Sequence, residues 1–287
     1  KWFTALQQVL PPAAEMSKNG AESSPTPAHA SAPVTALHVA PSSLRLWEGD
    51  APGLPSGVGP EVNETAGRVS NVSVPMLDVY LPAREKANGT AIIIVSGGGY
   101  GRLASGPLGA GAARLFVPQG FAVFSLKYRT SSASKDVLTD VVADGAQAMR
   151  LVRSRAAEWG IDPKRVGMVG FSAGANLILN LATTANAEAR PDFVGLAATW
   201  PYKQKITSFT IDGRVPPAFV LHTKDDTSAR FTFAEEIVAA WRAAGVPVEF
   251  QPRDTGGHMA FNSFKSGDGD WPAQFQAWLR RQGFVRD

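Results

Sequence analysis

The sequence predicts an α/β fold, a mostly parallel, twisted sheet with helices on both faces. Three observations carry this expectation. Short, wholly apolar runs rich in β-branched residues recur along the chain, each the length of a strand covered on both faces. Stretches with apolar residues at helical spacing separate them, the alternation that builds parallel sheets. A serine flanked by glycines, Gly170-Phe-Ser172-Ala-Gly174, stands where one such strand passes into one such helix.

Residues 1–40 read as a tail and residues 41–287 as one catalytic domain. The tail holds Pro11-Pro12, Pro25, Pro27 and Pro33 among Ala and Ser, too little apolar surface to offset the entropy of ordering. Opening on Lys1 rather than Met, the chain is expected to be processed or truncated. Gly49 to Gly59 is a second loop-rich stretch. Val72 to Leu81 alternates as a strand on the antiparallel side of the sheet, where Pro75 needs an edge or a bulge. Ala91–Val95, Phe121–Leu126, Val166–Val169, Gly195–Thr199 and Ala218–Leu221 are the buried strands, and Val246–Phe250 is a more polar last one.

Helical spacing fills the intervals. It covers Gly109–Val117, Lys135–Trp159, Ala173–Thr184, Ala229–Ala244 and Trp271–Arg281. In the longest, Val137, Val141, Gly145, Ala148 and Val152 share a face, with Asp136, Asp140 and Asp144 on another. Right-handed crossovers follow from parallel pairing.

Composition removes several classes of function. The chain has no cysteine, which excludes a disulfide scaffold, a cysteine nucleophile and a zinc–thiolate site. A net charge of +3, with no basic cluster interleaved with aromatics, leaves no nucleic-acid footprint. No run of 18 apolar residues suggests a membrane span. Oligomeric state leaves no signal. Four histidines, His29, His38, His222 and His258, leave few ways to build an imidazole site.

Gly170–Gly174 has the form of a nucleophile elbow, in which a sharp strand-to-helix turn lifts the Ser172 oxygen clear of the sheet. Glycines on either side remove side chains that would collide with neighbouring backbone. Upstream, Ser96-Gly97-Gly98-Gly99-Tyr100 follows a buried strand, where bare N–H groups suit a developing oxyanion. Gly98 and Gly99 are the expected donors, joined by the N–H of Ala173 after the serine. No Gly-Lys-Ser/Thr follows the glycines, which argues against a phosphate cradle.

Base and acid should come later, in the order Ser, Asp or Glu, His. His258 lies in the loop after the last strand and is the expected base. His222 ends a buried strand and reads as structural. For the acid, Lys224-Asp225-Asp226-Thr227 offers two aspartates. Either could orient His258 from this loop, its neighbour then being a solvated loop carboxylate or a helix cap. Asp254 is a weaker third choice, too near His258 along the chain. No metal or organic cofactor is expected. Tyr100, Phe171, Trp200, Met259 and Phe261 are candidates to line the substrate cleft.

Together these motifs resemble the bacterial esterase/lipase branch of the α/β-hydrolase superfamily, which includes acetyl-xylan and related carbohydrate esterases. The resemblance runs from about Arg45 to the C-terminus. It rests on Leu46-Trp47-Glu-Gly, Ser96-Gly-Gly-Gly-Tyr100-Gly, Gly120 to Arg129, Arg150 to Pro163, Gly170–Gly174 and the His258 loop. It implies an acid four positions after a histidine, and counting from His222 lands on Asp226. Ser96 stands where relatives often have Pro or His, and Pro107-Leu-Gly109-Ala where many have Glu-Gly.

The resemblance implies the α/β-hydrolase fold and a carboxylic-ester hydrolase working through an acyl-serine. Its substrates would be short acyl, perhaps acetyl, esters of a sugar or polysaccharide. Secretion or export to a periplasm is the location such relatives favour. Amide or peptide hydrolysis on the same fold, as in arylformamidases and prolyl-type peptidases, is the alternative within enzymes. A non-catalytic binding protein is the alternative outside them, and the intact Ser, Asp and His argue against it.

Overall fold

The computed structural model describes residues 42–261, 264 and 271–285. The tail expected over residues 1–40 lies outside them. Eleven strands and five α-helices follow in order among the described residues: β1 (Ser42–Arg45), β2 (Val62–Asn63), β3 (Val69–Ser70), β4 (Met76–Tyr80), β5 (Ala91–Val95), β6 (Arg102–Leu103), α1 (Ser105–Phe116), β7 (Ala122–Lys127), α2 (Val137–Ser154), β8 (Val166–Phe171), α3 (Ala173–Thr184), β9 (Val194–Ala197), β10 (Ala218–Thr223), α4 (Phe231–Ala243), β11 (Val248–Arg253) and α5 (Trp271–Arg281).

Eight strands form one sheet in the order β1-β4-β7-β5-β8-β9-β10-β11. β1 and β4 pair antiparallel, as does β4 with β7, and every pairing from β7 to β11 is parallel. The antiparallel edge therefore sits where the alternating Val72–Leu81 pattern placed it. The strand there is shorter than expected. It starts after Pro75, which has no N–H to give to a ladder.

Strand alternation divides the core. Ala91, Ile93 and Val95 of β5 join the cluster under α2, α3 and α4, with Val141, Leu177 and Trp241. Ile92 and Ile94 join the opposite cluster under α1 and α5, with Phe116, Phe275 and Trp278. Both faces are covered, which explains why these strands are apolar at every position.

Helix ends differ from the spacing estimate for local reasons. α2 starts at Val137 because the Asp136 carboxylate accepts the Thr139 N–H at 3.3 Å, an N-cap. α1 begins at Ser105, four residues earlier than expected, with Pro107 in its first turn, where a missing N–H costs nothing.

A buried ion pair stiffens the chain between β7 and α2. Arg129 donates from Nε to Asp144 Oδ2 and from a terminal nitrogen to Asp144 Oδ1, both at 2.9 Å. Trp47 Nε1 donates to the same carboxylate at 3.0 Å. Burial pushes the Asp144 carboxyl up, and the Arg129 hydrogen bonds pull it back towards the charged form. Losing either partner would strand an unpaired charge in the core.

A second, three-stranded antiparallel sheet, β2-β3-β6, lies outside this frame. β3 pairs with β6 so that Ser70 faces Arg102 and Val69 faces Leu103.

Candidate active site

Sheet register brings the chemistry-bearing loops together. β5 lies beside β8 with Val95 opposite Gly170, so the glycine run and the serine turn leave the same end of adjacent strands. β10 and β11 pair with Thr223 opposite Arg253, so the aspartate loop and the His258 loop are also neighbours. This is the carboxyl end of a parallel sheet, where ligands bind in open α/β folds.

Ser172 has φ 55° and ψ −118°, a conformation that L-residues seldom adopt. The surrounding backbone imposes it. A Cβ on Gly174 would stand 2.3 Å from the Val95 carbonyl oxygen, and one on Gly170 would stand 2.7 Å from the Gly174 carbonyl. The Ser172 N–H donates to the Ala197 carbonyl at 2.9 Å, pinning the turn to β9.

His258 Nε2 lies 2.9 Å from Ser172 Oγ, and His258 Nδ1 lies 2.8 Å from Asp226 Oδ2. An ionised carboxylate only accepts, so Nδ1 carries the proton and Nε2 is the bare nitrogen facing the serine hydroxyl. Asp226 is buried, and its Oδ1 accepts the N–H groups of Ser228 and Ala229 at 2.8 Å each. Four of its lone-pair directions thus have donors close by, because His222 Nε2 approaches Oδ2 at 3.3 Å. His222 is buried, and burial lowers its pKa. Its Nε2–H donates to the Ala229 carbonyl at 2.9 Å, a structural role beside the acid.

Asp225 points the other way. Its Oδ2 accepts the Gly256 N–H at 3.0 Å and its Oδ1 the Gly257 N–H at 2.8 Å. Those two donors, Gly257 foremost, hold its carboxyl below the usual range. Asp225 is thus the exposed loop carboxylate that was one of the two roles expected of it, and it caps no helix. It grips the loop that carries His258. Asp254 instead pairs with Lys224 Nζ at 2.8 Å on the surface.

The glycine loop is folded for close approach. A Cβ on Gly97 would stand 2.9 Å from the Ser172 Cβ, and one on Gly98 would stand 1.9 Å from the Arg102 carbonyl oxygen. Gly98 and Gly99 both have positive φ, at 132° and 61°. Ala173 opens α3, where N–H groups have no intrahelical acceptor. Gly97, Gly98, Gly99, Ser172 and His258 share the wall of one cleft of about 430 Å³.

Of the aromatic and apolar candidates, Trp200 and Met259 line this cleft. Tyr100, Phe171 and Phe261 do not, and that corrects the sequence expectation. Tyr100 is buried against Tyr128, Trp200 and Tyr202, and its hydroxyl donates to Asn176 Oδ1 at 2.7 Å, tying the glycine loop to α3. Phe171 ends a strand and alternates to the opposite face, packing on Phe264 and Trp271. Phe261 belongs to that same cluster.

Residues that the sequence reading passed over complete the wall: Arg68, Arg102, Leu103, Ala104 and Ser228. Arg102 was within reach of sequence reasoning, two positions after Tyr100 in the glycine motif. Arg68 carried no signal, since its place depends on the pairing of β3 with β6.

Comparisons with known proteins agree with this architecture. Residues 77–209 match the BD-FAE family model. The acetylxylan esterase of Xylanibacter ruminicola is 38% identical over 114 residues, which cover 40% of this chain and 23% of that protein. The chain spans less than a third of the length of the curated relatives it matches. Among solved structures, the acetyl ester-xyloside bifunctional hydrolase of Caldicellulosiruptor lactoaceticus superposes with a TM-score of 0.69 at 24% identity, covering 88% of this chain and all of that one. Propionate-bound esterase 2 of Thermogutta terrifontis gives a TM-score of 0.65 at 21% identity, covering 83% and 97%. At such identities the structures speak for the fold. With a mostly parallel sheet covered on both faces and a strained serine at its carboxyl edge, the chain has the α/β-hydrolase fold of these structures, and its residues 77–209 are similar to the BD-FAE family.

Proposed function

We propose that this chain is a serine carboxylic-ester hydrolase that works through an acyl-serine intermediate on short acyl esters, acetyl above all, of a sugar or polysaccharide. The observation that carries this reading is the continuous relay from Asp226 through His258 to Ser172, at 2.8 and 2.9 Å, beside a glycine loop.

In the first step Ser172 Oγ bonds to the ester carbonyl carbon while its proton passes to His258 Nε2. The carbonyl oxygen becomes an oxyanion facing the N–H groups of Gly98, Gly99 and Ala173. Asp226 keeps Nδ1 protonated and stabilises the imidazolium. His258 then gives its proton to the departing alkoxide as the carbon–oxygen bond breaks. Water repeats the sequence on the acyl-serine, releasing the acid and restoring the hydroxyl.

The acyl and alcohol preferences rest on the relatives' names, and the cleft supports them by its size. Its 430 Å³ lies in the range of small-ligand sites. Stoichiometric labelling of Ser172 by a serine-directed phosphonate, located by peptide mass spectrometry, tests the chemistry. Rates on p-nitrophenyl esters of increasing chain length, on the matching anilide and on acetylated xylan test the substrate. The acetyl ester should be the fastest and acetate should be released from the polysaccharide. A faster anilide would favour an amidase instead.

A further inference from the structure

Two arginines, Arg68 and Arg102, line the cleft that holds the reacting serine, and no carboxylate of the described residues lines it. Both come from the small sheet outside the α/β frame. Arg102 lies in β6, and Arg68 directly precedes β3, its partner strand. The Glu64 N–H donates to the Arg68 carbonyl at 2.7 Å, which closes the turn that presents this arginine. That wall has no part in the relay, yet it gives the cleft a positive side.

The two charges are weakly compensated. Arg102 approaches Glu64 at 3.5 Å, with the arginine side chain about half exposed. The Arg68 side chain has no ion-pair or hydrogen-bond partner among the described residues. Guanidiniums held open in a cleft are suited to a planar oxyanion, which they bind through paired N–H donors. A neutral acetylated sugar could accept hydrogen bonds from them but would leave their charge unmatched.

We propose that Arg68 and Arg102 form an anion-recognising subsite, so that the preferred substrate is an ester that also carries a carboxylate. The proposal rests on the ester-hydrolase reading and narrows its substrate class. A carboxylate can come from the alcohol, as in an acetylated sugar acid, or from the acyl group, as in the half-ester of a dicarboxylic acid. The wall flanks the scissile position, and the chemistry recognised is the same in both.

Two matched pairs of substrates test it: an acetylated methyl glucuronoside against the acetylated methyl glucoside, and p-nitrophenyl hemisuccinate against p-nitrophenyl butyrate. The readout is the ratio of kcat/KM, charged over neutral, within each pair. In the wild type one pair should favour the charged ester by about tenfold, mostly through KM, with the ratio shrinking as salt rises. That pair also identifies which side of the ester carries the charge. Arg68→Gln with Arg102→Gln should bring the ratio to about 1 or below, while the double lysine variant should keep part of it, because the charge survives without the fork. No preference in either pair, or a preference unchanged in the double glutamine variant, overturns the subsite. Ser172→Ala run on the same esters separates the two levels. If that variant retained hydrolysis, the ester-hydrolase reading itself would fail, whatever the arginines do.

Discussion

Ser172 and His258 meet at one hydrogen bond, but the backbones that deliver them are held by different forces. The serine turn is held by contact. Atoms of β5, β8 and α3 fill the space around Gly97, Gly170 and Gly174 so closely that one added methyl group at any of them would fall within 3 Å of a neighbour. The histidine loop is held by polar bonds. Asp225 accepts two of its N–H groups, and the Thr223 hydroxyl donates to the Gly257 carbonyl at 3.0 Å. A Cβ on Gly257 would meet nothing within 4 Å. One side of the site is thus a packed wedge, indifferent to pH, and the other a clasp that depends on a charge. The division suits the proposed chemistry, in which the turn fixes the nucleophile while the imidazole passes a proton from serine to leaving group.

Removing the reacting atom is the most damaging way to break the site. Ser172→Ala should fold normally and lose activity by about 10⁶-fold in kcat, leaving the residual acceleration of the oxyanion donors. Burst and steady-state kinetics on p-nitrophenyl acetate, with circular dichroism as the folding control, measure it. A variant that kept a few per cent of wild-type kcat would remove Ser172 from the proposed role.

Asp226→Asn should come next, with kcat down by about 10⁴-fold, since an amide can hold the wrong imidazole tautomer and cannot stabilise its cation. Asp225→Asn keeps one acceptor oxygen for the loop and should cost far less. Assaying both on one activated ester sharpens the contrast between adjacent carboxylates. Equal losses would mean that the clasp matters as much as the relay.

The wedge predicts a loss of stability. Gly174→Ala puts a methyl group against the carbonyls of Val95 and Ser96 in the packed core, so the strand end bearing the glycine run must shift. Overpacking of this kind costs about 1–3 kcal/mol, visible as a lower Tm together with lost activity. Gly257→Ala is its counterpart in the clasp, where space is open and only φ 62° is strained. Its cost should stay near 1–2 kcal/mol. If Gly257→Ala proved the more damaging in Tm, the division between wedge and clasp would be wrong.

Smallest of all is the pH effect of the clasp. The Asp225 carboxyl is held below its ordinary value by the N–H groups of Gly257 and Gly256. The stabilisation from its charged form is therefore fully present above the ordinary carboxylate pKa of about 4 and lost as pH falls through the lowered value. The Tm difference between the wild type and Asp225→Ala should be constant from pH 8 down to about 5 and vanish in stronger acid. A difference that grew in acid would have the wrong sign for this contact.

Much of this protein was already legible along the chain. The buried strands announce themselves because a strand covered on both faces has no polar position. The elbow and the glycine run are legible because local backbone demands, a left-handed serine and close approach of neighbouring chains, admit so few residue types. Order along the chain then placed an acid and His258 after the serine. Other features depended on direction and long-range pairing. Asp225 and Asp226 are chemically identical neighbours, and only the torsions of their turn decide which carboxylate meets the imidazole and which clasps the loop. Tyr100 and Phe171 adjoin the motifs, yet packing turned one ring beneath the glycine loop and the other through the sheet to the far core. Arg68 and Arg102 stand 34 positions apart in sequence and face one cleft because β3 pairs with β6, a contact that hydrogen bonds between distant segments create and local pattern does not encode.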